Sequence, residues 1–241
     1  MYKHPVAIVT GASRGIGKAI ASGLAQAGHK TILVARSKDQ LKLAAYELKN
    51  TLKLDESLVP DMCVLDVTDE KKAKETLKQV VTTYKRLDVF VNNAGAWLPG
   101  SVEASPAKLK GLFDVNLFAP YMFLQMVVPI MKKQGSGYIF NVASRAGKVG
   151  FIESGSYCAT KFGLVGLNES LYRELAPLGI RVTALCPGWV HTDMATEAGA
   201  ELPAEEIIQP EDLGKTVQYL LSLSAHACVK EVVLECGGSV A

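Results

Sequence analysis

Short runs of β-branched and apolar residues recur along this chain, and each interval between them has room for about one amphipathic helix, a pattern that leaves few folds open. The runs are Val6 to Thr10, Thr31 to Val34, Met62 to Leu65, Val89 to Asn92, Tyr138 to Val142, Val182 to Leu185 and Val232 to Leu234. Their near-continuous apolar character reads as strands buried on both faces. Helix starts fall between them. Ser37 with Gln40 has capping-box spacing, and Leu41, Ala44, Ala45, Leu48 and Leu52 follow as one stripe. Thr68 or Asp69 opens a lysine-rich segment, and Ser105-Pro106 and Gln209-Pro210 each put proline at a first helical position. Strands joined by helical crossovers pair in parallel, with helices on both faces. The expected fold is a doubly wound α/β sheet of about seven parallel strands, one domain over residues 1–241.

Composition narrows the function classes. Residues are 49% hydrophobic and 21% charged, with a formal net charge of +2 and no long basic block, which argues against a nucleic-acid partner. The opening Met-Tyr-Lys-His-Pro lacks the apolar stretch of a signal peptide, and the apolar run Leu117 to Met131, interrupted by Pro120, Gln125 and Pro129, reads as a buried helix rather than a membrane span. Five cysteines without paired or CxxC spacing point to reduced thiols and a cytoplasmic location. Four scattered histidines offer no metal site.

In such sheets ligands bind beyond the carboxyl ends of the strands. The first strand runs into Thr10-Gly11-Ala12-Ser13-Arg14-Gly15-Ile16-Gly17 and then a helical pattern. Glycines there permit a tight turn and close approach to a pyrophosphate, while the helix N-terminus attracts its charge. The second strand ends in Ala35, Arg36 and Ser37 rather than in the acidic residue that would accept bonds from both adenosine ribose hydroxyls. Arg36, with Arg14 in the turn, suits a 2′-phosphate, so the expected cofactor is NADP(H).

Tyr157 and Lys161 stand four apart at the start of a helical segment and so share a face. A neighbouring ammonium favours phenolate, and the expectation is a tyrosine pKa lowered by about 1 to 3 units, tuned for proton exchange with a substrate oxygen.

Taken together and in order, the glycine turn, Asp66 after the third strand, Asn92-Asn93-Ala94-Gly95 after the fourth, Asn116 in a helix, Ser144, Tyr157, Lys161, and Pro187-Gly188 with Thr192 resemble the short-chain dehydrogenase/reductase family over essentially the whole chain. The resemblance implies a single Rossmann-type domain and an oxidoreductase moving a hydride between NADPH and a carbonyl or alcohol, a 3-oxoacyl thioester or a small ketone or aldehyde. It implies a catalytic tetrad in which Ser144 holds the substrate oxygen, Tyr157 is the acid/base, Lys161 binds the nicotinamide ribose, and Asn116 holds a relay water. Cofactor contacts are implied at Gly11, Ser13, Arg14, Gly15, Ile16, Gly17, Arg36, Ser37, Asp66, Val67, Asn92, Ala94, Gly95, Tyr157, Lys161, Pro187, Gly188, Val190 and Thr192. A catalytically idle dinucleotide sensor with the same fold is the alternative reading. It would not need to keep all four tetrad residues.

Trp97, Phe151, Ile152, Trp189 and Met194 are expected to wall an apolar substrate site, and the stretch from Ala195 to Glu206 to act as a lid. The chain is similar to ketoacyl reductases and carbonyl reductases of the family, yet Ser156 stands where the former usually have Asn. Apolar residues on Leu117 to Met131 and on the helix after Lys161 imply a homo-oligomer, dimer or tetramer, by the same resemblance.

Overall fold

The computed structural model describes residues 2–200 and 202–237. Strands β1 (Val6–Thr10), β2 (Lys30–Ala35), β3 (Asp61–Val64), β4 (Val89–Asn92), β5 (Gly137–Val142), β6 (Ile180–Pro187) and β7 (Glu231–Leu234) form one sheet in the order β3-β2-β1-β4-β5-β6-β7. Every neighbouring pair is parallel. The helices are α1 (Gly15–Gln26), α2 (Lys38–Leu52), α3 (Glu70–Tyr84), α4 (Pro106–Phe113), α5 (Ala119–Gln134), α6 (Gly155–Leu175), α7 (Asp193–Glu197) and α8 (Pro210–Ser222).

Strand periodicity divides the core into two layers. Ala7 and Val9 of β1 pack with Ile20 and Leu24 of α1, Leu41 and Leu48 of α2, and Leu213 and Val217 of α8. Val6 and Ile8 face the other way, onto Leu77 and Val80 of α3 and Phe123 and Val127 of α5. The central strands match the doubly buried expectation; β3 and β7 do not. Each is an edge with one neighbour, and Met62 and Val64 are each 48% exposed and Val233 45%. An edge strand lacks covering helices on its outer side, so its apolar residues meet solvent.

Local signals explain where the helices begin. Ser37 accepts from Gln40 N at 3.3 Å, but the Gln40 side chain meets Ser13 Oγ at 3.4 Å instead of returning to the cap, so the expected box is half formed. Asp69, not Thr68, caps α3, accepting from Lys72 N at 3.0 Å, because Thr68 is turned onto Asp66. At α8, Gln209 N donates to Asp212 Oδ2 at 3.1 Å. Helices α1 and α8 cross with Gly23 against Gly214: a Cβ built on Gly23 would lie 2.7 Å from Gly214 O. Side chains at those two positions would force the helices apart.

The apolar run read as Leu117 to Met131 belongs to a longer element. α4, one π-helical turn over Asp114–Phe118 and α5 make a continuous helical stretch, Pro106–Gln134, of 29 residues, whose length and composition alone would suffice to cross a membrane. It lies instead along the sheet, with Phe123, Leu124, Val127 and Met131 in the core.

Candidate active site

A cleft of about 1460 Å³ opens beyond the carboxyl ends of the strands, between β1 and β4, where successive crossovers diverge to opposite sides of the sheet. Such a switch point is where doubly wound sheets bind ligands. Gly11, Ser13, Arg14, Gly15, Ile16, Gly17, Arg36, Ser37, Asp66, Val67, Ala94, Gly95, Tyr157, Lys161 and Thr192 all line it. Fifteen of the nineteen residues expected at the cofactor thus line one cleft.

The glycine turn is a cradle that larger residues would fill. Gly11 and Gly15 have φ of +64° and +53°, in the left-handed region. A Cβ on Gly11 would stand 2.8 Å from Asn93 Nδ2, and one on Gly17 would collide with the Gly11 carbonyl. The adjoining loop is held to the turn by Asn93, whose Nδ2 donates to Thr10 O at 2.8 Å and Gly11 O at 3.2 Å, while Thr10 Oγ1 accepts from Asn93 N and Ala94 N at 2.9 and 3.1 Å. Backbone is thus left bare at the start of α1, as a dinucleotide pyrophosphate requires.

Several expected contacts lie elsewhere. Asn92 is buried outside the cleft: its Nδ2 donates to Asn141 Oδ1 at 2.9 Å, Asn141 donates to Asn168 Oδ1 at 3.0 Å, and Asn168 donates to Lys230 O at 3.1 Å. Alternation along β4 puts Asn92 on the same face as Phe90, and Asn93, the first residue past the strand, takes the role at the turn. Pro187 ends β6, Gly188 N donates to Leu234 O at 2.7 Å, and Val190 is core, so none of these three lines the cleft. Arg14, though it lines the cleft, is paired with Asp193 at the start of α7. The Asp66 carboxyl is held below the usual carboxylate range first by the bonds from Thr68 N and Oγ1 and then, more weakly, by the exposed Arg36 at the end of β2. Asp193 escaped notice in the sequence because nothing there signals a partner so distant in the chain.

Tyr157 and Lys161 line the cleft floor; Ser144 and Asn116 stand behind it. Ser144 lies just past β5 and hydrogen-bonds the Tyr157 phenol. Lys161, 4% exposed, donates from Nζ to Val142 O at 3.0 Å and lies 5.6 Å from the Tyr157 ring centroid. Asn116 sits in the π turn; its Oδ1 accepts from Ala96 N at 2.8 Å and its Nδ2 donates to Ala96 O at 2.9 Å and Thr160 Oγ1 at 3.1 Å. Its side chain clamps the loop after β4 onto α6 rather than reaching the cleft. A π turn of this kind widens one helical turn and recurs at functional sites.

Tyr157 runs against the expected titration. Burial pushes its phenol up to about 12, opposed only in part by the Ser144 bond, and burial pushes Lys161 down to about 8. Desolvation penalises the charged form of each and is the largest cause of both shifts. The tyrosine therefore carries its proton at neutral pH, the state a donor needs.

The outer walls are mixed. Met194 lines the cleft, whereas Trp189 packs against the core layer beneath α8. The stretch expected as a lid, Ala195 to Glu206, begins inside α7, which Thr192 caps, and ends where Glu206 N donates to Pro203 O at 2.9 Å, two residues before Ile208 N donates to Trp189 O at 3.0 Å; Glu201 within it lies outside the described residues. Among the described residues no cluster of His, Cys, Asp or Glu is arranged to hold a metal, and no disulfide joins the five cysteines.

Comparison with known proteins agrees with this geometry. Residues 5–203 match the family model for short chain dehydrogenases. An uncharacterised oxidoreductase of Staphylococcus epidermidis is 34% identical over 233 residues, spanning 96% of this chain and 97% of that one. The crystal structure of a β-ketoacyl-[ACP] reductase from Bacteroides thetaiotaomicron is 45% identical, covers 98% of both chains and superposes with a TM-score of 0.87. An actinorhodin polyketide ketoreductase variant solved with NADPH is 32% identical, with 99% and 98% coverage and a TM-score of 0.88. This chain belongs to the short-chain dehydrogenase/reductase family.

Proposed function

We propose that the protein is an NADPH-dependent reductase of carbonyl compounds, with 3-oxoacyl thioesters as the foremost substrate class and small ketones as surrogates. The observation that carries this reading is that Tyr157, hydrogen-bonded by Ser144, and Lys161 line the same cleft as the glycine cradle. The likeness to a β-ketoacyl-[ACP] reductase and to a polyketide ketoreductase supports the substrate class. The NADPH in the latter, with Arg36 at the end of β2, supports the cofactor.

NADPH, when bound, supplies the hydride. Gly11, Gly15 and Gly17 give its pyrophosphate access to backbone N–H groups, and Arg36 offers a planar donor to the 2′-phosphate. The Ser144 hydroxyl donates to the substrate oxygen, fixing it beside Tyr157. As negative charge builds on that oxygen, Tyr157 Oη gives it a proton, a favourable transfer because an alkoxide is far more basic than a phenolate. The Lys161 ammonium stabilises the phenolate so formed until solvent returns the proton. A relay near Asn116 would then run past its side chain, which is already engaged with Ala96 and Thr160. Five cysteines with no disulfide among them favour a reducing, cytoplasmic setting.

The test is NADPH oxidation followed at 3-oxoacyl thioesters, ketones, sugars and quinones. Tyr157→Phe is expected to lower kcat by about 10²- to 10⁴-fold while NADPH affinity stays within about twofold; normal turnover in that variant rejects the mechanism. Arg36→Asp is expected to shift preference toward NADH, and an unchanged preference rejects the 2′-phosphate contact.

A further inference from the structure

The catalytic helix begins without a cap of its own. Ser154, at the N-cap position of α6, makes no side-chain hydrogen bond to the helix. The donor that it leaves, Gly155 N, is instead bonded at 3.2 Å to Ser101 Oγ, from the loop after β4. Ser156 Oγ, 5% exposed, returns a bond to Ser101 O at 3.1 Å, and Gly100 N donates to Glu153 O at 2.7 Å. The joint is tight as well as bonded: a Cβ on Gly155 would stand 2.9 Å from Ser101 Oγ. It also holds Glu153 at φ +55°, a left-handed conformation that a residue with a Cβ adopts only under constraint.

We propose that Ser101 and Ser156 are positioning residues: Ser101 caps α6 in trans, and the pair locks the substrate loop after β4 to the turn that carries Tyr157. The loop whose Ala96 lines the cleft and the phenol then move as one body, so the gap between wall and proton donor keeps a fixed width. Substrates that reach past the tyrosine onto that wall sense the joint, whereas the adenosine and pyrophosphate of NADPH, held at the glycine turn and Arg36, do not, so most of the cofactor's binding is left intact. The inference rests on the proposed carbonyl reduction only for its kinetic readout.

The experiment compares Ser101→Ala, Ser156→Ala and Ser101→Thr, the last retaining a hydroxyl cap. For the two alanine variants, the ratio of KM for a bulky bicyclic ketone to KM for a small acyclic ketone is expected to rise about fivefold, the scale of one lost hydrogen bond, with NADPH affinity within about twofold; Ser101→Thr restores the ratio. Hydrogen–deuterium exchange supplies a readout independent of turnover: Ser101→Ala should speed exchange both in residues 96–105 and in residues 153–158, with or without a reducible substrate. An unchanged KM ratio alongside exchange confined to residues 96–105 overturns the joint. Absence of carbonyl reduction by the wild-type protein, with exchange rising in both segments, removes the proposed function and leaves the joint standing.

Discussion

Lys161 exposes its energetics most directly. Its pKa falls from 10.5 to about 8 because the ammonium is buried. Between those two values the unfolded chain keeps a proton that the native protein has shed, so native stability rises with pH across that window. The gain is roughly 2 to 3 kcal/mol at 1.36 kcal/mol per unit. The protein without cofactor is expected to gain stability relative to Lys161→Met between about pH 8 and 10; the comparison cancels the opposing losses from Tyr157 and Cys186, whose values are raised to about 12 and about 11. Parallel denaturation curves for the two proteins at every pH would refute the buried-ammonium account. Residue spacing in the sequence identified Tyr157 and Lys161 as neighbours. It did not carry the sign of their shifts, because desolvation depends on what surrounds the pair and not on the pair itself. Asn92 teaches the same lesson: a motif names the pair Asn92-Asn93, and only the alternation of β4 decides which of the two faces the glycine turn.

Among the elements, legibility tracked burial. The central strands and the stripe Leu41, Ala44, Ala45 and Leu48 were readable because continuous or 3.6-residue apolar patterns reflect two-sided or one-sided cover. The edge strands β3 and β7 carry similar apolar runs without that cover, so their exposure was invisible. Composition also hid the π turn and the trans cap at α6, which depend on contacts across the fold. Helix α3 offers a prediction at this scale. It ends at Lys85, held at φ +61° with its N–H on Val81 O, a left-handed C-cap that glycine occupies without a Cβ clash. Lys85→Gly is expected to stabilise the protein by about 1 kcal/mol, raising Tm by about 2–4 °C; a lower Tm would show that the lysine side chain stabilises more than its backbone strain costs.

For the whole molecule, the outer face of the long helical stretch is the feature that the single chain leaves unexplained. Phe118 and Tyr121, one turn apart, are 56% and 49% exposed, and Phe162 on α6 is 46% exposed. Large aromatic residues in solvent are a usual mark of association, and the proposed partner is a second copy of this chain. Sedimentation or light scattering is expected to give a dimer or tetramer, and Phe162→Glu with Tyr121→Glu to shift it toward monomer; a monomeric wild-type protein at micromolar concentration refutes the assignment.

The row of three carboxamides running from Asn92 through Asn141 and Asn168 to the Lys230 carbonyl has a sense of travel, since each member gives its N–H to the next. Deamidation of Asn141 would turn that link into an acceptor facing an acceptor and leave a negative charge in the dry interior between β4 and α6. Chemical ageing at one nitrogen atom would thus be felt from the loop beside the nucleotide cleft to the far border of the sheet, without any change in the residues that perform the reaction.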